Sequence, residues 1–167
     1  DVWLMHSMPG RNMNQTQSFG IGRSDPGTVP KLAADLSTKF ACYPDDARSA
    51  LMTIRGWIFE LAANIPIGMI TETLKWGEPA WVTPSGSGTT IRADWKPKAP
   101  DRIAIYVNCQ TDLIDRVRSH FDGVLECEGN RAILLALDRP FPEEAIKTVL
   151  GWALTYHQDR RKPTPKR

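Results

Sequence analysis

Apolar and polar positions along the chain fall into two regimes. From Pro44-Asp45-Asp46 onward, Leu51, Ile54, Ile58, Leu61 and Ile65 recur at three- and four-residue steps, one stripe of an amphipathic helix. The acids favour its start, where free N–H groups and the positive dipole end lie, and Pro66 closes it. A shorter helix is expected over Lys31–Phe40, with Leu32 and Leu36 four apart. Another is expected over Gly68–Lys75, stopped by Gly77 as a left-handed C-terminal cap. After Gly77 the period becomes two. Ala80–Thr83 reads as a short strand, Ser85-Gly86-Ser87-Gly88 as a turn, and Thr89–Trp95 as a strand with Ile91, Ala93 and Trp95 on one face.

Lys96 to Asp101, with Pro97 and Pro100, must be a connection, because prolines this close do not fit a central strand. Arg102–Asn108 follows as a strand, antiparallel to the last. Thr111–Phe121 is helical, with Thr111 placed to cap it and Leu113, Val117 and Phe121 four apart. Val124–Glu128 and Arg131–Leu137 flank Gly129-Asn130, which suits a two-residue type II′ hairpin. Pro142 opens a last helix through Ile146, Val149, Leu150, Ala153 and Tyr156. This order predicts an α+β fold: a five-stranded, mostly antiparallel sheet with helices packed on one face and a polar face opposite.

Composition then marks the ends. Residues 1–30 are rich in Gly, Ser, Asn, Gln and Pro and read as a flexible N-terminal arm. Residues 31–159 form the single domain and residues 160–167 a basic, disordered tail. The net charge of +2 is misleading as a guide to partners. Of the 21 Lys and Arg, five (Arg160, Arg161, Lys162, Lys166, Arg167) lie in that tail, and the remaining 16 fall short of the 19 acids. Nucleic acid is therefore not the expected partner, since affinity grows with the number of phosphates neutralised. No apolar run approaches the ~20 residues of a membrane span, and no basic segment and apolar core mark a secretory leader at the start. Cys42, Cys109 and Cys127 are an odd, widely spaced set with no C-x-x-C, so reduced, mostly buried thiols in a cytoplasmic protein are expected.

The distinctive segment is Glu72-Thr73-Leu74-Lys75-Trp76-Gly77-Glu78-Pro79-Ala80-Trp81. It resembles the signature of the YdhG-like family, a bacterial domain family of unknown function: an acid, Lys-Trp-Gly, then a Pro and an aromatic at a helix-to-strand junction. Thr90 to Lys96, Gly129 to Ile133 and Ala153 to His157 agree with it, and the resemblance covers roughly residues 40–158. It implies a frataxin-like α+β fold, and a role proposed for some relatives as intracellular iron chaperones. It implies no established reaction. The acid-rich surface such a role needs is thin here: the long helix offers Asp45, Asp46 and Glu60 with Arg48 and Arg55 between them.

Three places could carry chemistry. At the junction, Glu72 and Lys75 are three apart on the expected helix. Trp76 and Trp81 bracket Gly77, Glu78 and Pro79, so a small polar ligand could be held by stacking plus a charge pair. On the polar sheet face, Arg92, Asp94, Tyr106, Asn108 and Arg131 project together and with Lys75 and Trp76 would line a shallow pocket for an anionic small molecule. Glu126 and Glu128 share a strand face and could offer oxygen ligands to iron, although His6, His120 and His157 are scattered. Ser85 to Gly88 is neither a nucleophile elbow nor a phosphate loop. No cofactor is predicted beyond iron by resemblance, and no catalytic constellation is found. The expected function is a non-enzymatic small-ligand or iron-binding module. The alternative is a homodimerising interaction module that docks a partner through the sheet face or Trp81; an uncatalogued enzyme is the third reading.

Overall fold

A computed structural model describes residues 29–162. The expectations for residues 1–28, for His6 and for residues 163–167 lie outside them. The elements are α1 (Ala34–Ala41), α2 (Asp45–Asn64), β1 (Thr71–Lys75), β2 (Glu78–Val82), β3 (Ile91–Trp95), β4 (Arg102–Tyr106), α3 (Leu113–His120), β5 (Glu126–Glu128), β6 (Ala132–Ala136) and α4 (Glu143–Arg161), with one 3-10 turn at Pro84–Gly86. The fold is α+β, as expected. Its sheet has six strands rather than five, antiparallel throughout, in the order β1-β2-β3-β4-β6-β5.

The extra strand corrects one expectation. Thr71–Lys75 is β1, not the end of a helix, and Gly77 caps nothing. Trp76 and Gly77 form a two-residue hairpin turn with φ of 57° and 75°. Positive φ at both central residues gives the twist that matches paired strands. The Thr-Glu-Thr-Leu-Lys run is short enough to read either way, and cross-strand pairing with Glu78–Val82 decides it. Smaller differences follow the same logic. Asp112 rather than Thr111 precedes α3, and the β5–β6 turn has three residues between Glu128 and Ala132, with Gly129 at φ 58°. α4 continues through Arg161, so Arg160 is helical rather than tail; its guanidinium bonds and stacks on Tyr156 one turn back.

Strand alternation separates the two faces. Trp81, Ile91, Ala93, Ile103, Ile105, Ile133 and Leu135 share one parity and join the buried residues of the four helices, among them Leu51, Ile54, Val117, Ile146 and Leu150. Their opposite-parity neighbours Ala80, Ala104 and Ala132 are buried but lie outside that cluster.

The connection from β2 to β3 does more than turn. Thr89 donates to Ala153 O, and both His157 and Gln158 donate to Ser87 O. These are groups that a regular helix spends on its own bonds around Ala153 to Gln158. Gly88 sits against the α4 backbone so closely that a Cβ there would lie 2.3 Å from Leu154 O. Its glycine is required by contact, not by backbone angle.

Candidate functional site

The junction residues are brought to three different environments. Glu72 lies on the core-facing side of β1, directly across from Trp81. Arg55 of α2 grips it from Nε at 2.6 Å and Nη2 at 2.8 Å, and Trp81 Nε1 donates to it at 2.8 Å. Arg55 Nη2 also donates to Pro30 O. Both Glu72 oxygens are therefore met by donors inside the fold. Lys75 is three residues on, and strand alternation puts it on the other face, so the expected Glu72–Lys75 pair does not form. Trp81 is fully buried, which removes it as a docking residue, whereas Trp76 is 90% exposed at the hairpin tip. The two tryptophans do not bracket a ligand.

The polar sheet face is different. Arg92 and Tyr106 are directly opposed on β3 and β4, with the guanidinium 5.4 Å from the ring centre. They line a basin of about 680 Å³ together with Glu78, Lys96, Lys98 and Arg131. The hollow has a simple cause. Ala104 and Ala132 put small side chains in the middle of the face, with Leu134 beside them, and longer polar side chains stand around them. Of the expected site residues, Glu78, Arg92, Tyr106 and Arg131 therefore meet, and Asp94 joins them. Lys75, Trp76 and Gly77 do not line the basin. Asn108 is exposed beyond the end of β4 and accepts from Gln110 N.

At one side of the basin two buried carboxylates are held by a charge network. Glu78 takes Arg92 on one oxygen and Lys96 on the other, at 2.9 Å for the lysine. Asp94, 1% exposed, accepts from the Tyr43 hydroxyl at 2.5 Å, with Lys96 Nζ 2.6 Å from Oδ2 and Lys39 Nζ 3.6 Å from Oδ1. Three cations thus answer two carboxylates and leave the network with positive charge. Burial, reinforced by the bond to Asp94, pushes the Tyr43 hydroxyl far above its ordinary value. Desolvation alone would lower Lys96, but its bonds and attraction to Asp94 and Glu78 outweigh that and raise it. Neither group changes protonation near neutral pH. Burial also raises Tyr106.

Two basin cations stand apart from this network. Among the described residues no carboxylate lies within ion-pair distance of Arg131 or Lys98, and both side chains are exposed. Arg102, by contrast, is paired with Asp101 at 2.9 Å and lies 3.5 Å from Glu126. Sequence reasoning missed Lys39, Tyr43, Arg55, Lys96 and Lys98. Lys96 and Lys98 sit in the proline-broken connection and could have been weighed for their charge. Tyr43 is 51 residues from Asp94, and nothing local marks it.

Glu126 and Glu128 do share one side of β5, the basin face of the sheet, and are exposed, and Glu128 is among the residues that line the basin. Among the described residues, no group of three or more His, Cys, Asp and Glu converges as a metal-binding set. The expectation of mostly buried thiols is also corrected: Cys42 and Cys109 are exposed and Cys127 half-buried, with burial raising its thiol. No described helix is long and apolar enough to cross a membrane. Comparison with models of known families, with curated proteins and with solved structures finds no match.

Proposed function

We propose that the chain is a non-enzymatic binding module that takes a small anionic molecule in the basin on the open sheet face. One observation carries the reading: Arg131 and Lys98 face the basin without a carboxylate partner among the described residues, beside an Arg92 already oriented by Glu78 and Tyr106. A pre-aimed guanidinium loses little side-chain freedom when it binds carboxylate or phosphate, and its fork matches both. The alanine floor accepts a flat body; Tyr106 and Arg92 offer a ring and a planar cation to stack on it. Iron, implied by the YdhG-like resemblance, is the weaker fit, because Glu126 and Glu128 gather no further ligand around them.

A thermal-shift series with phosphate, pyrophosphate and small mono- and dicarboxylates tests this. A ligand at 100 times its dissociation constant stabilises by about 2.7 kcal/mol, a rise of about 5–10 °C for a chain of this size. Arg131→Gln is expected to reduce the shift without lowering the ligand-free midpoint, since Arg131 makes no ion pair within the described fold. A wild-type midpoint unmoved by every anion at millimolar concentration sinks the reading.

A further inference from the structure

The two edges of the sheet are unlike. β5 closes one side with three residues, two of them glutamates, a length and charge that discourage pairing with another strand. β1 closes the other with five residues. Its Glu72 is turned to Arg55, so Lys75 is the single charge it displays. The Lys75↔Glu78 pair closes a two-residue turn and is of the hydrogen-bonded type. Thr71, Thr73 and Lys75 then bond to β2, while the backbone N–H and C=O of Glu72 and Leu74 point away from the sheet. Pro79, opposite Leu74, has no N–H and fits the non-bonded rung. Among the described residues, no backbone or side-chain group bonds these outward groups.

Apolar side chains flank this edge. Met69, before β1, is 83% exposed, and Trp76, after it, is 90% exposed. Trp76 also holds φ of 57°, where asparagine or glycine is at ease and a bulky residue is strained. The turn keeps its largest apolar side chain in the conformation that costs it most and in full contact with water.

We propose that β1 pairs antiparallel with β1 of a second copy about a two-fold axis at Thr73. Thr73 is the centre of the five-residue strand, and its register satisfies the edge. Glu72 of each copy meets Leu74 of the other, so the outward groups bond one another. Lys75 faces Thr71, so no like charges are opposed. Trp76 of each copy arrives over Ile70 and Met69 of the other, and the same patch serves both copies, as an isologous interface requires. Two tryptophans supply about 150–250 Å² each. With the two methionines and the strand flanks, the contact sits at the low end of interface sizes, below about 1,200 Å², and the dimer is weak and concentration-dependent. The basin lies on the sheet face, so this contact leaves it open.

Sedimentation equilibrium of the full chain over a wide concentration range tests the proposal, with two variants and amide exchange. The wild-type mass is expected to climb from 18.7 kDa toward twice that value. Thr73→Lys sets two lysines against each other at the axis and should hold the chain at monomer mass. Trp76→Asn removes the apolar contact but relieves the turn. It should weaken association at least about tenfold, as loss of a buried aromatic anchor does, while raising the thermal midpoint of the monomer. The Glu72 and Leu74 amides should exchange slowly only where the dimer forms. A wild-type chain that stays monomeric at several hundred micromolar overturns the proposal. So does a dimer that survives Thr73→Lys. Protection of the two amides that is independent of concentration would assign the edge to a segment of the same chain, and also overturns it.

Discussion

Replacing Gly88 by alanine would put a methyl carbon 2.3 Å from Leu154 O and 2.5 Å from Ala153 O. Both are backbone atoms of a packed helix, so the contact cannot be relieved by a side-chain rotation. Overpacking of this kind costs about 1–3 kcal/mol, occasionally more, and Gly88→Ala should fall at or above the top of that range. The thermal midpoint is expected to drop by about 6 °C or more; an unchanged midpoint would show that α4 can shift aside. Glu72 is the second residue whose replacement separates readings. Glu72→Gln leaves the Arg55 guanidinium, 2% exposed, facing a neutral amide. Breaking one partner of a buried pair costs about 3–5 kcal/mol, so denaturant unfolding should show a loss of that order. Ligand binding in the basin should persist in whatever fraction stays folded, because Glu72 lies on the other side of the sheet. Residue types in the sequence could not tell these roles apart. Trp76 and Trp81 are five positions apart and identical in type, yet one is bare and the other wholly buried, and only the strand register between them decides which.

Among the elements, those with sustained periodicity were legible and the short two-sided one was not. α2 runs Asp45–Asn64 against an expectation closing at Pro66, and β3 and β4 pair antiparallel as their alternation implied. The expected helix over Gly68–Lys75 rests on Gly77 as its cap, and Glu72, Leu74 and Lys75, good helix formers in a five-residue run, do not argue against it. The site inherits that error: a helix would have joined Glu72 to Lys75, and a strand separates them. The α1–α2 connection contributed most to the site with least local signal, through Tyr43. Its bond to Asp94 gives alkaline stability a sign. In the unfolded chain Tyr43 and Lys96 release protons near their ordinary values of 10.0 and 10.5. In the fold both hold them to higher pH. Above about pH 10 the native state binds more protons than the unfolded state, so stability falls as pH rises, and below that range the contribution is fully present. Urea unfolding at a series of alkaline pH values should show this decline. Tyr43→Phe is expected to be less stable than wild type at pH 8 and to lose less on going from pH 9 to pH 11. Parallel curves for the two proteins would remove Tyr43 from the account.

For the whole molecule, the sequence yielded the fold class and the existence of a polar sheet face; it missed the sixth strand and where charge is left uncompensated. The second matters more for function. Most basin charges are spent on one another, and how the buried Asp94 is answered depends on long-range approach of Lys39 and Tyr43, which no spacing rule reports. The net charge of +2 carries none of this. Screening should act on the exposed Arg131 and Lys98 far more than on the buried carboxylate network.

The docking of Ser87–Thr89 into α4 has a consequence for how the chain is made. Synthesis delivers Ser87, Gly88 and Thr89 roughly 64 residues ahead of Ala153, about 3–13 s earlier at ordinary elongation rates. During that interval Ser87 O and the Thr89 N–H lack their α4 partners, and the β2–β3 connection has no helix to rest on. The last turns of α4 arrive to find Ser87 O and the Thr89 N–H already in place to bond them. Docking of the loop thus waits for the last turns of α4 rather than following the emergence of the sheet, and a chain cut before His157 would lack both bonds to Ser87 O.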